Sequence, residues 1–313
     1  ALDGRTAKGI HYIRDGVESL ATARSEVLLC AGPIVSPALL ELSGIGNPDI
    51  LSAQGIDVVH ALPGVGENLQ DHLQNRITYE TSLPVTVNDI LNNPVRGALA
   101  GLRYLLFKDG LLSVPVATVH AIMRSDADLP HPDVKLQIML TSGKDRYARG
   151  KKVGLDPFSG FNIGVFQLYP HSRGSVHIKS PDANEHPTIH ANYLSDPRDT
   201  EVVLKALRMA REVARQPSIA PLIVREVRPG PDAADDEALL DYARQTSQTS
   251  WHPISTCRMG RGTDDVVDYD LRVHGIAKLR VIDSSIMPNM PTSNTNSPSI
   301  MIGAKGADLV RMT

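Results

Sequence analysis

Residues 250–260, SWHPISTCRMG, place a histidine where it could transfer a proton. Pro253 follows His252 directly, and proline removes a backbone donor and disfavours helical geometry in the residue before it. The segment is therefore predicted to be extended or turning. A lone histidine more often makes a structural hydrogen bond than it acts as a catalyst, so this segment alone leaves both roles open.

A second polar segment, TSNTNSP at residues 292–298, precedes an apolar run that ends the sequence. Ser297 and Pro298 are typical of the start of a helix, so residues 297–313 are predicted to be helical. A strand, a polar loop and a helix N-terminus in this order favour binding of a phosphate or of an electron-rich ring edge.

Several common chemistries lack their motifs in this sequence. HEXXH, CxxC, Walker and GxSxG patterns are absent, which removes the simplest routes to zinc proteolysis, thiol redox, nucleotide hydrolysis and serine hydrolysis. His186 and His190 are separated by Pro187 in a strand-like run, so we expect no metal site there. GVGENL at residues 64–69 lacks the third glycine of the dinucleotide fingerprint, so no complete dinucleotide site is encoded.

The composition is that of a soluble globular protein. The 313 residues are 42% hydrophobic and 21% charged, with a net charge of −3, and this balance gives no basic field for nucleic acid. No apolar run approaches the roughly 18 residues of a membrane span. Cys30 and Cys257 are far apart and are interpreted as reduced thiols.

The pattern of elements mixes strands with helices. GIHYI and EVLLCAG near the start read as strands with a hairpin turn at Asp15 and Gly16 between them. Residues 37–44 read as a helix opened by Pro37. PDVKLQIML, GFNIGVFQLY and GSVHIKS read as strands, while residues 196–215 and 235–247 read as helices. The sequence therefore predicts a sheet with helices packed on one side.

GPIVSPALLELSGIG at residues 32–46 resembles, without a mismatch, the second signature of the glucose-methanol-choline (GMC) flavoprotein oxidoreductases. Further similar segments follow in order: PGVGENLQDH (63–72), PHSRGSVHIKS (170–180), NYLSDPRD (192–199), WHPISTCRMG (251–260), LRVIDSSIMP (279–288) and TSNTNSPSIMIGAKGADLV (292–310). The resemblance thus covers nearly the whole sequence.

The resemblance implies the C-terminal part of a GMC fold, with α/β and α+β character. Residues 1–75 and 263–313 are expected to form part of an incomplete, Rossmann-like FAD-binding domain. Residues 76–262 are expected to form a substrate-binding domain with a mostly antiparallel sheet flanked by helices. The family's glycine fingerprint is absent, so we expect an N-terminal FAD-binding portion of the same protein as partner, on this polypeptide or on a separate one.

The resemblance also assigns candidate site residues. His252 is implied as the general base, and its lack of acidic neighbours in sequence suits a base that must be neutral when substrate arrives. Asn294 is implied as the second catalytic residue, with helix capping as its alternative role. Asp283, Ser284, Asn296, Ser297 and Pro298 are implied as contacts of the FAD. His72 is interpreted as structural, and Trp251 and Cys257 as packing residues.

The implied function is FAD-dependent oxidation of an alcohol, expected to be primary, to an aldehyde by hydride transfer to flavin N5. A flavin-containing hydroxynitrile lyase and a non-catalytic fragment are the alternatives. No metal and no membrane span are expected. A bacterial cytoplasmic location is expected, with periplasmic export left open.

Overall fold

A computed structural model describes residues 1–115, 117–143, 154–292 and 294–312. Its strands are β1 (Leu2–Asp3), β2 (Thr6–Ala7), β3 (Gly9–Arg14), β4 (Val17–Thr22), β5 (Val27–Leu29), β6 (Ile45–Gly46), β7 (His60–Ala61), β8 (Leu73–Thr81), β9 (Ala117–Met123), β10 (Val134–Met139), β11 (Gly160–Gln167), β12 (Ser175–His177), β13 (Thr188–His190), β14 (Ile223–Arg228), β15 (Gln248–Thr249) and β16 (Leu279–Val281). The helices are α1 (Gly32–Leu42), α2 (Pro48–Ala53), α3 (Val87–Leu91), α4 (Pro94–Phe107), α5 (Pro197–Ala214), α6 (Asp236–Thr246) and α7 (Asn296–Arg311).

The chain forms two compact units, each built from separate stretches of sequence. The first contains residues 1–72, 169–196 and 251–313, and the second contains residues 73–168 and 197–250. Residues 169–196 and 251–262, which the sequence-based ranges placed with the substrate domain, thus lie in the first unit. These two stretches belong to the first unit because the backbone of Leu69 pairs with Gly174 and that of Gln70 pairs with Ile254.

In the first unit, a parallel pair of strands lies beside a buried apolar cluster. β5 pairs with β16 in parallel register, and Val27, Leu279 and Val281 from these strands belong to the cluster. Leu28, which follows Val27 in β5, is 40% exposed. Parallel sheets are normally larger and covered on both faces, so this pair has the character of one part of a wider sheet.

The second unit is an antiparallel sheet with helices against it. The strand order is β14-β8-β11-β10-β9, and β15 pairs with the end of β8. Helix α5 contacts β8, β10 and β11, and α6 contacts β8 and α5. Val203, Leu207 and Ala210 recur at helical spacing on the buried side of α5. The predicted fold class, with a mostly antiparallel sheet flanked by helices, is confirmed.

Two local predictions need correction. The turn at Asp15 and Gly16 does join a hairpin, and both residues have the positive φ of a type I′ turn. Its second strand, however, is β4, while EVLLCAG supplies β5, which pairs with β16. Helix α1 begins at Gly32 with Pro33 in its first turn, so Pro37 lies inside the helix rather than opening it. The reason is that Pro33 fits a first turn equally well.

Among the described residues, no helix combines the length and apolar character that crossing a bilayer requires.

A charged cluster joins α1 to β12 within the first unit. The carboxylate of Glu41, which is fully buried, contacts His177 Nδ1 at 2.7 Å and accepts the backbone N–H of Ile178 at 2.8 Å. Glu67 contacts His177 Nε2 at 3.0 Å. Burial by itself lowers the pKa of His177, but the hydrogen bonds and negative charges of the two carboxylates outweigh it, so the pKa is raised. His177 therefore binds both carboxylates best as an imidazolium, since a neutral ring has one N–H.

We expect His177→Gln to reduce the free energy of unfolding by about 1–3 kcal/mol near pH 6. The folded protein binds this proton more tightly than the unfolded chain does. The stabilisation is thus complete below the ordinary value of 6.5 and is lost as the pH rises through the raised folded-state pKa. The difference between wild type and variant should therefore shrink with rising pH, as measured by urea unfolding followed by circular dichroism. His186→Gln, at an exposed histidine, is the matched control. A difference that grows with pH would contradict the assignment.

Candidate active site

The His252 segment crosses from the surface into the interior of the first unit. Trp251 is 58% exposed with a φ of +57°, His252 is half-buried, and Ile254 and Cys257 are fully buried. A positive φ is unusual for a bulky residue and costs free energy, so the surrounding contacts must hold it in place. Within this chain more than half of Trp251 is exposed, so its predicted packing role stays a prediction.

Asp71 fixes the backbone of His252. One carboxylate oxygen accepts the backbone N–H of His252 at 3.0 Å, and the other accepts the hydroxyl of Tyr193 at 2.5 Å. The side chain is buried, with 7% of the residue exposed. The fold thus brings an acid to His252 that the local sequence does not contain, and this acid accepts a hydrogen bond from the main chain of the histidine.

His72 contacts the ring of His252. The two Nδ1 atoms are 3.0 Å apart, and the rings meet edge to face, with an interplanar angle of 86° and centroids 5.2 Å apart. His72 is 2% exposed. Because only one hydrogen fits between two nitrogens at this distance, one ring donates and the other accepts. The residue interpreted from sequence as structural therefore touches the predicted base directly.

The residues preceding α7 and the His252 segment run side by side. Cys257 N–H donates to the carbonyl of Ser285 at 2.9 Å, and the Ser284 hydroxyl lies 3.4 Å from the carbonyl oxygen of Pro253. The segment of the predicted base and Ser284, one of the predicted flavin contacts, are thus neighbours within one unit. Burial raises the pKa of the Cys257 thiol, which makes it unreactive and agrees with its predicted packing role.

Asp283 ties the end of β16 to the start of α1. Its carboxylate accepts the backbone N–H of Gly32 at 3.0 Å, the Ser36 hydroxyl at 2.6 Å and the backbone N–H of Ser285 at 2.8 Å. A carboxylate offers about four acceptor positions, so three are used within the protein. These bonds give Asp283 a structural role, and its contact with FAD, implied by the resemblance, stays a prediction.

The first turn of α7 carries the remaining predicted residues. Asn296 and Ser297 are exposed, Pro298 is half-buried, and Asn294 is exposed just before the helix. Thr295, rather than Asn294, occupies the N-cap, and its side chain makes no capping hydrogen bond. The terminus therefore presents backbone N–H groups and the positive end of the helix dipole to an external group. A meeting of Asn294 with His252 stays a prediction.

Over the described ranges, no group of three or more histidine, cysteine, aspartate or glutamate residues is placed to hold a metal ion.

Sequence profiles described as GMC oxidoreductase match residues 2–74 and 170–303, which include Asp71, His72, His252 and Asn294. This chain belongs to the GMC oxidoreductase family. The family assignment predicted from the signature segments is thus confirmed. The profiles cover almost all of the first unit, and they leave residues 75–169 unmatched.

Curated relatives of this GMC chain include oxygen-dependent choline dehydrogenases. Those of Chromohalobacter salexigens and Escherichia coli are each 38% identical over 99% of the chain, which covers 54% and 55% of the respective relatives. The chain thus spans about half the length of the curated relatives it matches.

The chain is also similar to solved structures of oxidases. A pyridoxine 4-oxidase from Mesorbium loti is 27% identical with a TM-score of 0.83, over 100% of this chain and 56% of its own. A formate oxidase is 24% identical with a TM-score of 0.90, over 99% and 58%. At that identity the second likeness supports the fold alone.

Sequence reasoning missed Asp71 and Tyr193 as partners of the His252 segment. Asp71 and His252 are 181 positions apart, so no local pattern joins them. The available signal was NLQDH at residues 68–72, which the GMC resemblance marked as a signature-like segment without giving its contacts.

We expect Asp71→Ala to lower the free energy of unfolding by about 2–4 kcal/mol, because two donors, the His252 backbone N–H and the Tyr193 hydroxyl, lose their acceptor. Asp71→Asn keeps one acceptor oxygen and should cost less. Tyr193→Phe removes the hydroxyl that donates to Asp71 and should cost about 0.5–1.5 kcal/mol. Urea unfolding of the three variants measures the order. Equal costs for Asp71→Ala and Tyr193→Phe would show that the bond to His252 contributes nothing.

Proposed function

We propose that the full-length protein is an FAD-dependent oxidoreductase. Its substrate in this proposal is a small primary alcohol, which it oxidises to the aldehyde. The observation that carries the proposal is the arrangement of His252, whose backbone is held by Asp71 and whose ring is held by His72. A half-buried imidazole fixed at two points is suited to act as a general base.

The named relatives support the reaction class. The curated relatives are named for choline and the 27%-identical structure for pyridoxine, and both compounds carry a primary hydroxyl group. We infer that the substrate of this protein is likewise a compound with a CH–OH group.

The residues at the start of α7 fit a flavin. Asn296 and Ser297 are exposed, and the N-terminus is left without a side-chain cap, so its dipole favours an electron-rich group placed there. Bound FAD supplies the hydride acceptor for this chemistry. Pro298 lies half-buried in the same turn. Asp283 bonds to the start of α1, and Ser284 contacts the His252 segment.

Two side chains of this chain are proposed to act on the hydroxyl group of the substrate. We assign to His252 the removal of the hydroxyl proton from the substrate. We assign to Asn294 a hydrogen bond from its amide N–H to the same oxygen, since an amide can donate but does not titrate. In this assignment Asp71 and Tyr193 keep the His252 backbone in place and do not contact the substrate.

A further portion of polypeptide completes the proposed flavin site. The chain spans 54–55% of the choline dehydrogenases it matches, and no complete glycine fingerprint occurs in it. The β5 and β16 pair and the exposed Leu28 suit added strands. The hairpin of β3 and β4 also exposes apolar side chains, namely Ile10, Ile13, Val17 and Leu20. We propose that the FAD-binding portion of the same protein covers these surfaces.

The visible spectrum of the full-length protein tests the reaction class. Under anaerobic conditions, a panel that includes choline and pyridoxine should bleach the absorbance of the oxidised flavin for at least one alcohol. A bound flavin that stays oxidised with every alcohol would favour the lyase alternative, and a full-length protein that retains no flavin would overturn the proposal.

We expect His252→Ala to lower the rate constant of flavin reduction at least about 100-fold, because the hydroxyl proton loses its acceptor. Anaerobic stopped-flow absorbance measures this rate. His186→Ala, at an exposed histidine outside the site, should keep the wild-type rate. An unchanged rate in His252→Ala, with flavin still bound, would remove this residue from the mechanism.

A further inference from the structure

The contact between His72 and His252 determines which nitrogen of each ring carries a hydrogen. A neutral imidazole has one N–H and one nitrogen lone pair. At 3.0 Å between the two Nδ1 atoms, one Nδ1 must bear a hydrogen and the other a lone pair. Two arrangements satisfy this, and they differ in which ring donates.

The two arrangements have opposite consequences for His252. If His72 donates, the lone pair of neutral His252 is on Nδ1 and its Nε2 carries a hydrogen, so Nε2 cannot accept a proton. If His252 donates, its Nε2 carries the lone pair and can accept one. Nε2 lies on the side of the ring away from His72, because Nδ1 is the contacting atom.

We propose that His72 is a positioning residue that accepts the Nδ1–H of His252 and so holds Nε2 of His252 ready to take the substrate proton. The inference rests on the proposed function, in which His252 is the base. It adds a required tautomer and the residue that imposes it. His72 acts through His252 and does not itself contact the substrate.

The surroundings of His72 suit this role. Three consecutive residues, 70–72, contact residues 252–254 and residues 288–290. Gln70 pairs with Ile254 through its backbone, and its side chain donates to the Pro288 carbonyl at 3.2 Å and accepts the Met290 N–H at 3.2 Å. Asp71 then holds the His252 backbone and His72 holds its ring. A ring that is 2% exposed on so constrained a segment has little freedom to turn away.

The arrangement also places a histidine, rather than a carboxylate, against Nδ1 of His252. In the Ser-His-Asp triad an aspartate accepts the Nδ1–H of the histidine and stabilises the imidazolium. Here the nearby carboxylate of Asp71 accepts a backbone N–H instead, and a histidine occupies the position of the ring acceptor. Once His252 has taken a proton, its Nδ1–H bond to His72 becomes charge-assisted and stronger. His72 thereby favours the protonated product of the transfer over the neutral ring.

Two variants separate this role from simple packing. His72→Asn places an amide oxygen near the position of Nδ1 and keeps an acceptor, whereas His72→Leu removes it. We expect His72→Leu to lower the rate constant of flavin reduction by about 10- to 100-fold with little change in the substrate dissociation constant. His72→Asn should recover most of that loss. Wild-type rates in both variants, or equal losses in both, would overturn the proposal.

Ring ¹⁵N NMR of the histidine-labelled full-length protein tests the tautomer itself. The His252 signals, identified by their loss in His252→Asn, should show a protonated Nδ1 and an unprotonated Nε2 in wild type. The opposite pattern would overturn the proposal. This measurement needs no turnover, so it stands if His72→Leu fails to fold. It also separates the two claims, because a correct tautomer in a protein that no alcohol reduces would count against the proposed reaction alone.

Discussion

The double hold on His252 is the constraint on which the rest of this site depends. Asp71 accepts the backbone N–H of His252 and His72 contacts Nδ1 of its ring, from adjacent positions in the chain. An imidazole fixed by a single bond could rotate about χ1 and χ2, and that freedom would reduce its value as a base. With main chain and ring both held, the remaining nitrogen has a defined direction. The carboxylate that could raise the basicity of the ring is engaged with the backbone instead.

This arrangement depends on long-range pairing among four segments of the chain. The Gln70 backbone joins Ile254, the Leu69 backbone joins Gly174, and residues 255–259 run along residues 284–286. Each pairing satisfies buried backbone groups, and together they bring distant parts of the sequence into one unit. Gly66 permits a close approach nearby, since its φ is +82° and a Cβ there would lie 2.2 Å from the carbonyl oxygen of Val176. The charged cluster of Glu41, Glu67 and His177 then fixes α1 to β12.

Much of the fold could be predicted from the sequence because period and turn chemistry are local. The helix at residues 197–214 shows its apolar spacing directly, and Asp15 with Gly16 marks a hairpin. The partner of β5 could not be predicted in this way, since its pairing with β16 joins strands about 250 residues apart. The residues of the candidate site also fall into two groups, those recognisable from local sequence and those placed by long-range contacts. His252 and the polar run before α7 stand out by residue type, whereas Asp71, His72 and Tyr193 acquire their roles through contacts that exist only in the folded chain.

Trp251 gives the chain an optical property. It is the sole tryptophan among the 313 residues, it adjoins His252, and its indole is 58% exposed. Indole emission depends on solvent contact and on nearby absorbing groups. The fluorescence contributed by this chain therefore originates chiefly beside His252, and any ring system that binds against the segment will alter its intensity or wavelength.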